Sequence, residues 1–223
     1  MTSSSLETIQ FDTGPNPTAS VIWLHGLGAD GNDFVPIVHE LDLTDCPAIR
    51  FVFPHAPMMP VTINNGYVMR AWYDLLGIDL AKREDEAGLR QSQALVEQLI
   101  EQEKARGISA DRIVLAGFSQ GCAMTLQTGL RHPEKLAGLL GLSGYLPLHP
   151  LLPEERHNAN HDTLIFLAHG RYDPVIPIGY AEQSREILCG LGYNVEWHEY
   201  PMQHSVCEEE IGDISVWLKR VLK

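Results

Sequence analysis

Long hydrophobic runs are missing from this 223-residue chain. None approaches the roughly 20 apolar residues that a helix needs to cross a bilayer, so no integral membrane segment is expected. Cysteine is scarce. Cys46, Cys122, Cys189 and Cys207 stand far apart with no CxxC pair, and they read as free thiols of a reducing compartment rather than a disulfide framework. Positive charge is also short: 16 Lys and Arg face 29 Asp and Glu, for a formal net charge of -13. The basic residues are scattered, so the chain lacks the cationic patch of a nucleic-acid binder, and repulsion opposes docking by charge onto an anionic membrane. The opening residues 1–10 have neither the basic start nor the apolar core of a signal peptide, and a cytoplasmic location is expected. Repeats, low-complexity tracts and linkers are absent too, which points to one domain over residues 1–223.

What is present is an ordinary globular composition, 44% hydrophobic and 20% charged. Short apolar runs rich in β-branched residues alternate with helical patterns. Candidate strands cover 20–25, 49–54, 112–116, 138–143, 163–169 and 193–200. Several are apolar nearly throughout, as befits strands buried on both faces of a mostly parallel sheet. Between them, 86–106 sets Leu89, Val96, Leu99 and Ile100 on one helical stripe with charges opposite, and Gly107 stops it. Further helices are expected at 179–191 and 208–222. Such alternation predicts a three-layer α/β domain. One stretch breaks the rhythm. Residues 54–82 carry Pro54, Pro57 and Pro60, the neighbouring Asn64 and Asn65, and the aromatics Tyr67, Trp72 and Tyr73. The stretch is too long for a routine connection, and two readings stand: a binding wall, or a surface loop packed by its own aromatics.

Gly117-Phe118-Ser119-Gln120-Gly121 fits GxSxG. The pattern is weak alone, but a buried-strand pattern leads into it and a plausible helix, 120–130, leads out. A tight strand-to-helix turn strains the serine backbone and lifts its hydroxyl above the sheet edge. The amide of Gln120 then points to where negative charge develops on an attacked carbonyl. The bland alternative is a serine that only caps the helix. A second loop, His25-Gly26-Leu27-Gly28, follows the first expected strand and offers the Leu27 amide as a second oxyanion donor. Gly26, Gly28 and Gly31 also satisfy the GxGxxG dinucleotide fingerprint. The next strand ends Phe51-Val52-Phe53-Pro54-His55, with no acid to hold a ribose, and the dinucleotide reading fails there.

A serine hydroxyl needs a base at neutral pH, and the chain offers 10 histidines. With an elbow of this kind the order is Ser, acid, His, the last two on loops at the carboxyl ends of later strands. Asp173 follows the strand 163–169 in a proline-stiffened loop, and His204 follows 193–200 just before the last helix. Asp162 precedes its strand, His169 precedes the acid, and His198 lies inside a strand. His204 is therefore expected to take the Ser119 proton and return it to the leaving group, with Asp173 fixing the imidazole tautomer. Taken singly, each has a plain structural reading, a capping aspartate and a surface histidine. A chymotrypsin-like triad runs in a different order, and no HExxH or comparable spacing supports metal-dependent hydrolysis.

These residues in hand, the sequence resembles the phospholipase/carboxylesterase family, which includes the acyl-protein thioesterases. The resemblance is carried by the loop from His25 to Phe34, Phe53-Pro54-His55-Ala56-Pro57, Met69-Arg70-Ala71-Trp72-Tyr73-Asp74, Ala116 to Gly121, His169-Gly170 with Asp173, and Tyr200-Pro201-Met202 with His204. It implies a single-domain α/β-hydrolase fold with no large cap domain. It implies hydrolysis of short to medium acyl esters, and in some members of lysophospholipids or protein-bound acyl thioesters. It also implies that no cofactor is needed, that members often pair as homodimers, and that the 54–82 excursion with Trp72 lines the acyl pocket. Tyr73, Cys122 and Val175 complete the expected pocket.

Two positions depart from the family pattern. Cys122 stands where a second glycine usually follows the elbow, and Gln203 where glycine usually precedes the histidine. Cys122 is expected to be a small buried thiol near the nucleophile, and Gln203 to add bulk beside the base. Three rival functions fit less well. A non-catalytic binding protein on this scaffold usually loses a triad member, a dienelactone-hydrolase-like enzyme places cysteine at the elbow, and a peptidase reading finds no peptide-binding domain.

Overall fold

In the computed structural model, which describes residues 6–77 and 83–223, alternate residues of the apolar strands go to opposite faces of one sheet. In chain order the strands are β1 (Thr8–Asp12), β2 (Ala19–Leu24), β3 (Ile49–Pro54), β4 (Met58–Val61), β5 (Tyr67–Arg70), β6 (Ile113–Phe118), β7 (Gly138–Leu142), β8 (Ile165–Gly170) and β9 (Val195–Tyr200). The α-helices are α1 (Ile37–Glu40), α2 (Glu86–Ala105), α3 (Gln120–Gly129), α4 (Leu152–Glu155), α5 (Ile178–Gly190) and α6 (Glu208–Val221). Seven strands form the central sheet in the order β1-β3-β2-β6-β7-β8-β9, and only β1 runs antiparallel to its neighbour.

Ile22, Leu24, Leu115, Leu139 and Leu167 look to one face, where they share a core with Leu89, Val96 and Leu99 of α2, Leu126 of α3 and Leu188 of α5. Val21, Trp23, Phe51, Val114, Leu140 and Phe166 look to the other, with Val38 of α1 and Ile214, Trp217 and Leu218 of α6. Every residue of β2, β7 and β8 is buried. Covered on both faces, these strands gain nothing from polar alternation, which is why they read as continuous apolar runs.

The strands expected at 20–25, 49–54, 112–116, 138–143, 163–169 and 193–200 all form, with ends that move by no more than two residues. Three more were not anticipated. β1 is an edge strand whose Ile9 and Phe11 pack on the α6 side while Gln10 is exposed. The other two, β4 and β5, pair as a separate hairpin inside the 54–82 excursion, whose last residues, 78–82, lie outside the described part. The excursion is anchored rather than loose. Asp74 accepts the Thr62 amide at 2.7 Å, and the Asp74 amide donates to Asp85 at 2.9 Å, the same carboxylate that caps α2 by accepting from Gly88.

Topology places the site. The chain leaves β2 for β3 on one side and returns as β6 on the other. At such a switch point the loops at the carboxyl ends diverge and leave a crevice. Leu24 pairs with Gly117, Phe118 with Leu142 and Gly170 with Tyr200, so the carboxyl ends of β2, β6, β7, β8 and β9 share one rim. Among the described residues, no helix is long and apolar enough to cross a membrane.

One buried charge makes the fold sensitive to pH. Glu210, in the first turn of α6, is 0% exposed, and burial pushes its carboxyl up to about 8, an effect only partly offset by the Cys207 amide. Between roughly pH 4.5 and 8 the unfolded chain ionises here while the folded protein keeps its proton. Folding then binds a proton, and stability falls as pH rises, by up to several kcal/mol. Glu210→Gln, neutral at every pH, should raise the melting temperature at pH 8 and change it little near pH 4. Equal shifts at both pH values in thermal denaturation would contradict this account.

Candidate active site

The apolar run of β6 ends at a backbone corner. Ser119 sits at φ 57 and ψ -117, a region that a residue with a Cβ occupies only when its surroundings force it. Two glycines make the corner sterically feasible: a Cβ on Gly117 would lie 2.2 Å from the Gly121 oxygen, and one on Gly121 would lie 2.1 Å from the Leu24 oxygen. The Ser119 amide donates to the Leu142 carbonyl at 2.8 Å, pinning the corner to β7. Ser119 is the N-cap residue of α3, yet its side chain makes no capping hydrogen bond. The hydroxyl is not spent on the helix.

Gln120 opens α3, so its amide belongs to the free N-terminal set of that helix. Its side chain has a second task. Oε1 accepts the Trp72 amide at 2.8 Å, and Nε2 donates to the Tyr73 carbonyl at 2.7 Å, clamping the excursion to the elbow. The other glycine loop is held just as firmly. His25 Nε2 accepts the Ala56 amide at 3.0 Å, so Nδ1 carries the proton and donates to the Gly26 carbonyl at 2.7 Å. Burial lowers the His25 pKa and keeps the ring neutral. The Gly28 amide donates to Arg70 at 2.9 Å, which leaves Leu27 between two pinned residues. This loop lies against the elbow: a Cβ on Gly26 would come within 3.3 Å of the Ser119 Cβ.

Asp173 and His204 are brought together on the same rim. Gly170 lets their loops cross, since a Cβ there would lie 2.3 Å from the Gln203 oxygen. The Asp173 side chain is wholly buried, and its Oδ2 lies 2.7 Å from Nδ1 of His204, whose side chain is 16% exposed. Oδ1 accepts the amides of Val175 and Ile176 at 2.8 and 3.0 Å. His169 Nε2 donates to the Ile176 carbonyl at 2.8 Å and lies 3.3 Å from Asp173 Oδ2. Burial lowers the pKa of His169, so it supports the carboxylate loop as a neutral donor. With Nδ1 of His204 donating to Asp173, Nε2 is left as the basic nitrogen. The His204 ring packs 4.7 Å, centroid to centroid, from Phe118, the residue before Ser119.

A cavity of about 430 Å³ opens beside Ser119. Tyr73 and Val175 line it as the sequence suggests, beside the expected oxyanion donors Leu27 and Gln120 and residues that sequence reasoning missed, notably Ile63, Tyr145, Ile176 and Tyr180. Trp72 and Cys122 were expected on its wall and are not there. Trp72, 1% exposed, turns into the core and donates its indole N–H to the His25 carbonyl at 2.9 Å, so it braces the wall from behind. Cys122, also 1% exposed, fills space behind Gly141 and Gly144, and burial pushes its thiol up to about 12. Cys122→Ala should therefore cost about 1 kcal/mol of stability or less and shift kcat/KM by no more than about threefold. A loss of most activity in steady-state assays would contradict that placement. Gln203 is exposed and absent from the cavity wall, so its bulk goes to solvent.

Fold and site together put the chain among the α/β-hydrolases that act through serine. Comparison with known proteins narrows this. The family model described as phospholipase/carboxylesterase matches residues 8–222. Acyl-protein thioesterase 1 of Yarrowia lipolytica is 40% identical over 211 residues, covering 92% of this chain and 93% of the relative. The protein of the same name from Neurospora crassa is 43% identical over 210 residues, with 90% and 86% covered. Among solved structures, SOBER1 of Arabidopsis thaliana superposes with a TM-score of 0.87 at 31% identity, covering 92% of this chain and 99% of that one. Acyl-protein thioesterase 2 of Zea mays gives 0.83 at 28% identity, with 96% and 99% covered. The chain belongs to the phospholipase/carboxylesterase family, whose enzymes are serine hydrolases of esters and thioesters.

Proposed function

We propose that Ser119, His204 and Asp173 form the catalytic triad of a serine esterase and thioesterase that works in the cytoplasm on short to medium acyl groups. His204 Nε2 takes the Ser119 proton as the hydroxyl attacks the acyl carbonyl. The resulting oxyanion is met by the amides of Leu27 and Gln120. Collapse of the tetrahedral intermediate expels an alcohol or thiol, which receives the proton from His204, and water then releases the acid by the same steps in reverse order. The observation that carries this reading is the 2.7 Å contact between His204 Nδ1 and the buried Asp173, on the loops beside a strained serine whose side chain makes no capping bond. The cavity supports an acyl substrate, with Ile63, Leu75, Val175 and Ile176 as apolar lining. The free state of all four cysteines suits a reducing compartment.

A fluorophosphonate probe tests the assignment of the nucleophile. It should add one phosphonyl group, on the peptide that contains Ser119, and abolish hydrolysis of both p-nitrophenyl esters and acyl thioesters. Full activity after stoichiometric labelling, or labelling confined to another residue, would refute the assignment.

A further inference from the structure

Tyr145 is shared by three spaces. It lines the main cavity with Ser119. It also lines a void of about 10 Å³ with Cys122, Gly144, Leu167 and Ser184, and a second of about 10 Å³ with Leu146 and Ile187. Voids of that size hold at most about one water each. The side chain between them is firmly held. Tyr145 is 6% exposed and Tyr73 is 2% exposed, and their hydroxyls are 2.9 Å apart. The amide of the next residue, Leu146, donates to Ser184 Oγ at 2.8 Å, and the Tyr180 ring lies 6.4 Å from the Tyr145 ring.

We propose that Tyr145, clamped by its hydrogen bond to Tyr73, is the partition that sets the longest acyl chain this enzyme accepts. The proposal rests on the assignment of Ser119 as nucleophile and of the 430 Å³ cavity as the acyl site. An acyl chain that reaches the two phenols can go further only by parting two buried hydroxyls and leaving each without its partner. Below that length each added methylene that finds apolar wall raises kcat/KM by about fourfold, and beyond it the gain stops. Without the phenol ring, the cavity and the two voids become one space, and the apolar wall continues past Leu126 and Leu167 into the first void, while the second is edged by Glu84, His149 and Gln183.

The test is a chain-length series of p-nitrophenyl esters, from acetate through butyrate and octanoate to palmitate, on wild type, Tyr145→Ala and Tyr145→Leu. Tyr145→Leu keeps apolar packing in case the alanine variant does not fold. In Tyr145→Ala the ratio of kcat/KM for octanoate over butyrate should rise about tenfold or more relative to wild type, on top of any loss common to all esters. Tyr145→Leu should move the ratio in the same direction by less. A merely structural role would lower all esters together, and an unmoved ratio in a folded variant overturns the partition. Ser119→Ala separates the two layers of the argument. Ester hydrolysis that Ser119→Ala abolishes, with an unmoved ratio, overturns the partition alone. Hydrolysis that survives Ser119→Ala at the wild-type rate overturns the parent reading and the partition with it.

Discussion

Ser119→Ala should lower kcat for ester hydrolysis by about four to six orders of magnitude while leaving KM within a few-fold of wild type. In the proposed mechanism the hydroxyl supplies the attacking oxygen, and the neighbouring thiol of Cys122 cannot replace it, since it points into the core with its ionisation suppressed by burial. Binding survives because the apolar wall from Ile63 to Ile176 does not depend on the hydroxyl. Stability should also survive, since the Ser119 side chain makes no capping hydrogen bond that alanine would forfeit. The pair of measurements is steady-state kinetics and thermal denaturation on the same preparation. A variant that kept more than about a tenth of wild-type kcat would remove Ser119 from the chemistry.

Asp173→Asn should cost about three to four orders of magnitude in kcat, although only one oxygen becomes nitrogen. The reason lies in the orientation that the surrounding donors impose. Oδ1 accepts two backbone amides, from Val175 and Ile176, so the asparagine must keep its carbonyl oxygen there. Its NH2 group then faces Nδ1 of His204, where Oδ2 now accepts, and lies beside His169, whose Nε2–H is given to the Ile176 carbonyl. Against a donor, His204 must turn Nδ1 into an acceptor and move its proton to Nε2. That tautomer offers the serine a hydrogen where it needs a lone pair. Kinetics at pH 7 to 8 would measure the loss, and the ring nitrogens of His204 followed by NMR would report the tautomer. A loss below about tenfold would mean that the carboxylate is not what orients the base.

Much of this was legible in the sequence because the governing signals are local. Strands buried on both faces announce themselves as apolar runs, and the elbow is read from five consecutive residues. Order along the chain then selected Asp173 over Asp162 and His204 over His169 and His198. What escaped depends on partners distant in sequence. β1 offers only Ile9 and Phe11 as an apolar alternation, too brief to stand out until β3 pairs with it. The β4–β5 hairpin is masked by Pro60, which argues against a strand unless the pair stands apart from the main sheet, as here. All ten residues of α3 are buried, so no polar face betrays which way Cys122 points. Trp72 looked like a wall because large aromatics often are; its direction is set by a carbonyl 47 positions away, at His25. Tyr145 carried a usable signal, since it follows β7 on the same rim as the elbow, but only the sheet register makes that rim visible.

Gln120 joins two functions that could have been separate. One residue fastens the cavity wall through its amide side chain and, beside Ser119, opens α3 with the backbone N–H that the proposed mechanism gives to the oxyanion. The excursion is thus a plug-in panel with a two-pin fitting: one N–H and one C=O, on consecutive residues, that match a single carboxamide. Any foreign segment grafted onto residues 54–77 to change substrate range must present the same two pins in the same spacing. A graft that misses them would loosen the catalytic corner along with the wall.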